Sequence, residues 1–182
     1  MNREVLTKTI AEIEKAPAKR VIMFDWLRNL GNPEVHESSG DIEDLEEWKC
    51  NSAACIAGWI VKANLSKAKN IKNTMIDLDP GMTIPRIAEL LVFGNKDKEE
   101  LDSLFHVKNC TLTIRSILSE LSIDSGSEYK PDALFDFLPD SIRKHTVLTV
   151  LRDFRDTGAC DWKDAIEQAY QTYDENSETL SA

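Results

Sequence analysis

The residues of this chain best suited to chemistry are four cysteines, Cys50, Cys55, Cys110 and Cys160, and three histidines, His36, His106 and His145. Two close pairs stand out, Cys50 with Cys55 and His106 with Cys110. Each pair could chelate from a turn or a helix face, and together they would close a tetrahedral zinc site of three thiolates and one imidazole. Neither pair has the tight, glycine-bearing knuckle of finger and ribbon domains. A second chemistry is nucleophilic. Cys55 falls in the first turn of a helix expected over residues 53–63, where open N–H groups and the helix dipole lower a thiol pKa, and a distant histidine could serve as base. A reversible Cys50–Cys55 disulfide is the third, opposed by a reducing cytoplasm.

The same run, "CNSAACIAGW", also reads without any chemistry. Ala54, Cys55, Gly58 and Trp59 stand at i, i+1, i+4 and i+5, so small residues allow a close helix contact while the indole fills the space beside it. Cys55 is then a small buried apolar residue, which is the preferred reading. No cofactor is expected on it, with zinc the alternative. Trp26, Trp48 and Trp162 read as core or rim anchors, His106 as a residue closing a helix, and His145 as a helix residue with its polar atoms satisfied.

Other sites are excluded by spacing. "HESSG" at His36 has Gly40 where a zinc-protease helix needs its second histidine. "DLDPGM" puts Gly81 one place early for a calcium loop, and Ala88 replaces the chelating glutamate. There is no glycine-rich phosphate loop and no G-x-S-x-G elbow.

Charge bears on partners. Among 182 residues, 32 acids against 22 bases give a net charge of −10, which repels a phosphate backbone, so nucleic-acid binding is not expected. The basic run of Lys62, Lys67, Lys69 and Lys72 lacks interleaved aromatics and reads as solvated surface. The opposite bias lies in "EVHESSGDIEDLEE", residues 34–47, with seven carboxylates and no Lys or Arg. Such a run reads most simply as a solvated loop, and it is also the best candidate for docking a basic partner surface. Asp41, Glu43, Asp44, Glu46 and Glu47 would steer the partner and Trp48 would anchor it.

Periodicity sets the elements that must carry these residues. Apolar stripes at helical spacing run through Leu6, Ile10 and Ile13; Ile84, Ile87, Ala88 and Leu91; Ile114, Ile117, Leu118 and Leu121; Val147, Val150, Leu151 and Phe154; and Trp162, Ala165, Ile166 and Ala169. Thr83 with Pro85 opens one helix, Gly158 closes another, and Asp161 caps the last. Only "RVIMF", residues 20–24, looks extended. The expectation is a single mostly α-helical domain over residues 1–182, with at most one short extended segment. A possible subdomain boundary lies at 122–132 and a frayed tail at 174–182. The N-terminus has no signal-peptide core and no apolar run reaches membrane length, so a cytoplasmic location and no membrane partner are expected. The sequons at Asn64 and Asn109 then carry no glycan.

Four stretches together, "FDW" at Phe24–Trp26, "CNSAACIAGW" at Cys50–Trp59, "IAELLVFG" with "KEELDSLF" over 87–105, and "VLRDFRDTGACDW" over 150–162, resemble a group of uncharacterised bacterial and phage proteins. Their pattern runs Phe-Asp, Cys-Gly-Thr-x-x-Cys-Ile-Ala-Gly-Trp/His, Ala-x-x-Leu-Leu-Gly, Leu-Phe and Thr-Gly-x-x-Asp-Trp. Here Asn51 and Ser52 replace Gly-Thr, and Val92-Phe93 interrupts Leu-Leu-Gly. The resemblance implies that Cys50 and Cys55 recur as a pair with a shared structural or metal role. It supplies no activity. The functional expectation is an acidic protein-interaction protein, a phage or mobile-element accessory factor acting on a host protein, rather than an enzyme. The alternative is a zinc- or thiol-dependent enzyme using Cys50, Cys55, His106 and Cys110.

Overall fold

Each of the five apolar stripes is a helix in the computed structural model, which describes residues 1–23, 28–29, 52–75, 82–94, 104–107, 110–124 and 129–179. Helix α1 (Arg3–Lys15) buries Val5, Leu6, Ile10 and Ile13 on one face. Its start is fixed by Asn2, whose side chain accepts the Val5 N–H at 3.3 Å and whose own N–H donates to the Val92 carbonyl. After a 3-10 turn at Ala18–Arg20 come β1 (Arg28–Asn29) and β2 (Ser52–Ala53), an antiparallel pair with Arg28 opposite Ala53 and Asn29 opposite Ser52. Then follow α2 (Ile56–Ala63), α3 (Leu65–Met75), α4 (Ile84–Phe93), α5 (Thr111–Glu120), the short α6 (Pro131–Phe135), α7 (Asp140–Thr157) and α8 (Trp162–Thr179). The architecture is mostly α, as its stripes demand.

The terminating signals also act as expected. Gly158 takes φ 81°, a left-handed turn that costs a side-chain-bearing residue energy, and its N–H closes α7 on the Phe154 carbonyl. Asp161 then accepts the Asp164 N–H at 3.0 Å, opening α8. Thr83 is the N-cap residue of α4 with Pro85 in its first turn, although its hydroxyl makes no capping bond.

Helices α7 and α8 lie side by side, α1 packs along α7, and α2 bridges α1 and α4. One continuous apolar cluster joins them, with Phe93 edge-on to Phe154 at 5.7 Å and Phe135 edge-on to Trp162 at 5.8 Å. The α1–α7 seam closes with polar bonds as well. Lys144 Nζ donates to the carbonyls of Glu14 and Ala16, and Arg152 pairs with Glu14 at 2.7 Å. Helix α5 meets both α6 and α8, so the stretch 122–132 joins elements that pack together.

One expectation changes. The helix expected from residue 53 begins at Ile56, because Ser52 and Ala53 pair with β1 and Ala54 bridges Val21, which holds the backbone extended up to Cys55. At the other end, α8 runs as helix to Thr179.

Candidate functional site

Cys55 is the N-cap residue of α2 and is 1% exposed. Its carbonyl accepts the Trp59 N–H at 3.0 Å, while its sulfur makes no capping bond to the first turn. Burial pushes the thiol up to about 12; the Ala57 and Gly58 amides pull the other way, and the carboxylates of Asp136 and Asp132 add to the rise. The helix N-terminus that would activate an exposed thiol is thus outweighed by desolvation. At neutral pH Cys55 is an S–H group within the apolar core.

Cys110 is likewise buried and pushed up to about 11, first by burial and then by Asp161 and Glu167, with Lys163 opposing. His106 pairs through Nδ1 with Asp132 Oδ2 at 2.9 Å, and Asp132 Oδ1 accepts the Val107 N–H at 2.7 Å. The carboxylate ties residues 106–107 to the first turn of α6, which makes the His106–Asp132 pair a local clamp. Among the described residues, no three Cys, His, Asp or Glu side chains converge as a metal-binding group. Cys55, His106 and Cys110 are not brought together, and Cys50 lies outside the described residues. So do Asp41, Glu43, Asp44, Glu46, Glu47 and Trp48, as well as His36 and Trp26.

What the structure does define lies on either side of the acidic segment in sequence. Val21–Met23 precede it and Ser52–Ala54 follow it. Those two points are tied together: Ile22 N–H donates to the Ala54 carbonyl at 3.2 Å, Ala54 N–H to the Arg20 carbonyl at 3.0 Å, and Asn29 pairs with Ser52. Met23 N–H is also held by Asp136 Oδ1 at 2.7 Å. The Asp136 carbonyl in turn accepts from the buried Arg143, whose guanidinium pairs with Asp140. A buried arginine with charge-assisted bonds is a stiff foundation. The residues between Asn29 and Ser52 include all seven carboxylates of 34–47 and Trp48.

The lysine run separates in three dimensions. Lys67 pairs with Glu4 at 2.9 Å on the surface and holds that carboxyl below its usual range, whereas Lys62 points into a cavity between α1 and α2. That cavity, about 350 Å³, was not visible in the sequence. The only hint was that Lys8, Glu12 and Lys15 stand at i, i+4 and i+7, on one face of α1. Asn64 is buried at 2% exposure and spends its amide on the Ile60 carbonyl at 2.9 Å, with Thr9 Oγ1 and the Val5 carbonyl at longer range, so its sequon is structural. Among the described residues, no helix is long and apolar enough to cross a membrane. The chain matches no known protein family, curated protein or solved structure.

Proposed function

We propose that the chain is a protein-interaction protein: a helical scaffold that presents the acidic segment Glu34–Glu47 and Trp48 to a basic surface on a protein partner. The observation that carries this reading is the closed base of that segment, with Asn29 opposite Ser52 and Val21 opposite Ala54 on a core pinned by Asp136 and Arg143. Binding residues are commonly carried between fixed ends of a rigid framework, which lowers the ordering cost of association. The local density of carboxylates supplies long-range steering, and the indole supplies a compact apolar anchor. The biological role proposed with it is that of a phage or mobile-element accessory factor acting on a host protein.

The zinc- or thiol-dependent alternative draws no support from Cys55 and Cys110, both buried and both shifted toward the neutral thiol. The test is crosslinking of the full chain to host proteins, with the crosslinked residues mapped by mass spectrometry. Crosslinks should fall in 34–48, capture should weaken as salt rises, and reversal of Asp41, Glu43 and Asp44 to lysine should abolish it. Crosslinks elsewhere, or capture unchanged by that reversal and by salt, would overturn the proposal.

A further inference from the structure

Helices α5 and α8 pack together, and the residues that meet between them keep one offset. At the end of α5, Tyr170 Oη donates to Glu120 Oε2 at 2.9 Å across a separation of 50 residues. Nearer the two helix starts, Thr113 and Ile117 line a groove together with Lys163 and Glu167. The helices therefore run in the same direction, start beside start. Counting back along both from the Tyr170–Glu120 bond brings Cys160 to the level of Cys110.

Those two cysteines stand where the helices set out. Cys110 is the N-cap residue of α5, and Cys160 immediately precedes Asp161, which caps α8. Cys110 is 1% exposed in the apolar core, and Cys160 is half-buried and packs against the same core. The charges that act on Cys110 belong to Asp161, Glu167 and Lys163, the cap and first two turns of α8, which agrees with that register. Axes of packed helices lie about 8–10 Å apart, with Cα atoms about 2.3 Å from each axis, so facing Cα atoms come within the ~4.4–6.8 Å that a disulfide spans. Both residues stand as thiols in this structure.

We propose that Cys110 and Cys160 form a redox latch, a reversible disulfide that fastens the start of α5 to the start of α8 when a low-molecular-weight disulfide such as oxidised glutathione is present. The half-buried Cys160 reacts first. Its thiolate attacks one sulfur of glutathione disulfide, forming a mixed disulfide and releasing one glutathione thiolate. Cys110 then loses its proton to solvent and attacks the Cys160 sulfur, releasing the second glutathione. Two protein thiols are oxidised to one disulfide, and one glutathione disulfide is reduced to two thiols. Burial of Cys110 makes the second step the slow one. This pair lies apart from the acidic segment and stands or falls independently of the partner reading.

The test is incubation of the full chain, without denaturant, with oxidised glutathione, followed by alkylation, proteolysis and mass spectrometry. A peptide linked through Cys110 and Cys160 is expected, preceded by glutathione on Cys160 and reversed by dithiothreitol. Cys110→Ala should halt the reaction at the mixed disulfide on Cys160, and Cys160→Ala should leave Cys110 unmodified over the same time. The bridge should raise the thermal midpoint by about 5 °C or more, since it closes a long loop of chain. Thermal unfolding also checks that each variant folds; should the buried Cys110→Ala fail, Cys160→Ala carries the comparison from the more open position. Stable glutathione on Cys160 with Cys110 left unmodified, a bridge from either residue to Cys50, Cys55 or a second chain, or a Cys110–Cys160 bridge that leaves the thermal midpoint unchanged would each overturn the proposal.

Discussion

The two ends of α2, a helix of eight residues, set opposite environments on the same element side by side. Its first turn follows Cys55 into a dry core, where a thiol is kept neutral and carboxylates are kept busy with backbone donors. Further along, Trp59 and Lys62 line a cavity where cations from three elements meet. Burial in the apolar core keeps a titratable group neutral, while a partly open site leaves Lys62 half-exposed beside the charge of Arg20. Residue type alone does not decide between these outcomes.

The largest blow to that contrast would come from the core end. Ile56→Ala, at a position 1% exposed, should cost about 2–4 kcal/mol in denaturant unfolding, through lost transfer energy and a residual cavity. Asn64→Ala removes the amide that ties α2 to α1 and should cost about 1–3 kcal/mol by the same measurement. Cys55→Ala should cost only about 1 kcal/mol at neutral pH, as deletion of a small packed group does. Its sharper signature is in alkali. The folded thiol is raised to about 12 from the ordinary value near 9, so the unfolded chain loses its proton first, and stability present below pH 9 declines as pH rises toward 12. Urea midpoints measured across that window should fall less steeply for Cys55→Ala than for the parent. Equal slopes would mean the thiol is not the dry, neutral group described. Smallest is Lys8→Gln at the open end, expected within about 0.5 kcal/mol of the parent in stability. A larger loss would show that the rim cations hold the fold together.

The helical class was legible because Ile84, Ile87, Ala88 and Leu91, or Trp162, Ala165, Ile166 and Ala169, repeat at a helix's period and lie buried. Gly158 and Asp161 were legible because a left-handed turn and an N-cap are local events. The start of α2 was not, since Ala53 is a good helix former and only its pairing with Arg28, far away in sequence, keeps it extended. The same distinction governs the sites. Cys55 and Cys110 drew attention as reactive types, but the burial that quiets them is a tertiary property. Lys62 was read with its neighbours Lys67, Lys69 and Lys72, whereas its relevant neighbours are Lys8, Lys15 and Arg20, from elements that meet only when the chain is folded.

The seam between α1 and α7 bears on the order of assembly. Glu14 and Ala16 receive Lys144, and Glu14 meets Arg152, across 128 to 138 residues of intervening chain. Helix α1 therefore leaves the ribosome long before the surface that buries part of its apolar face exists. Contacts so distant in sequence slow the search for the native arrangement. During synthesis helix α1 must wait, with Leu6, Ile10 and Ile13 lacking their full cover until α7 has been made.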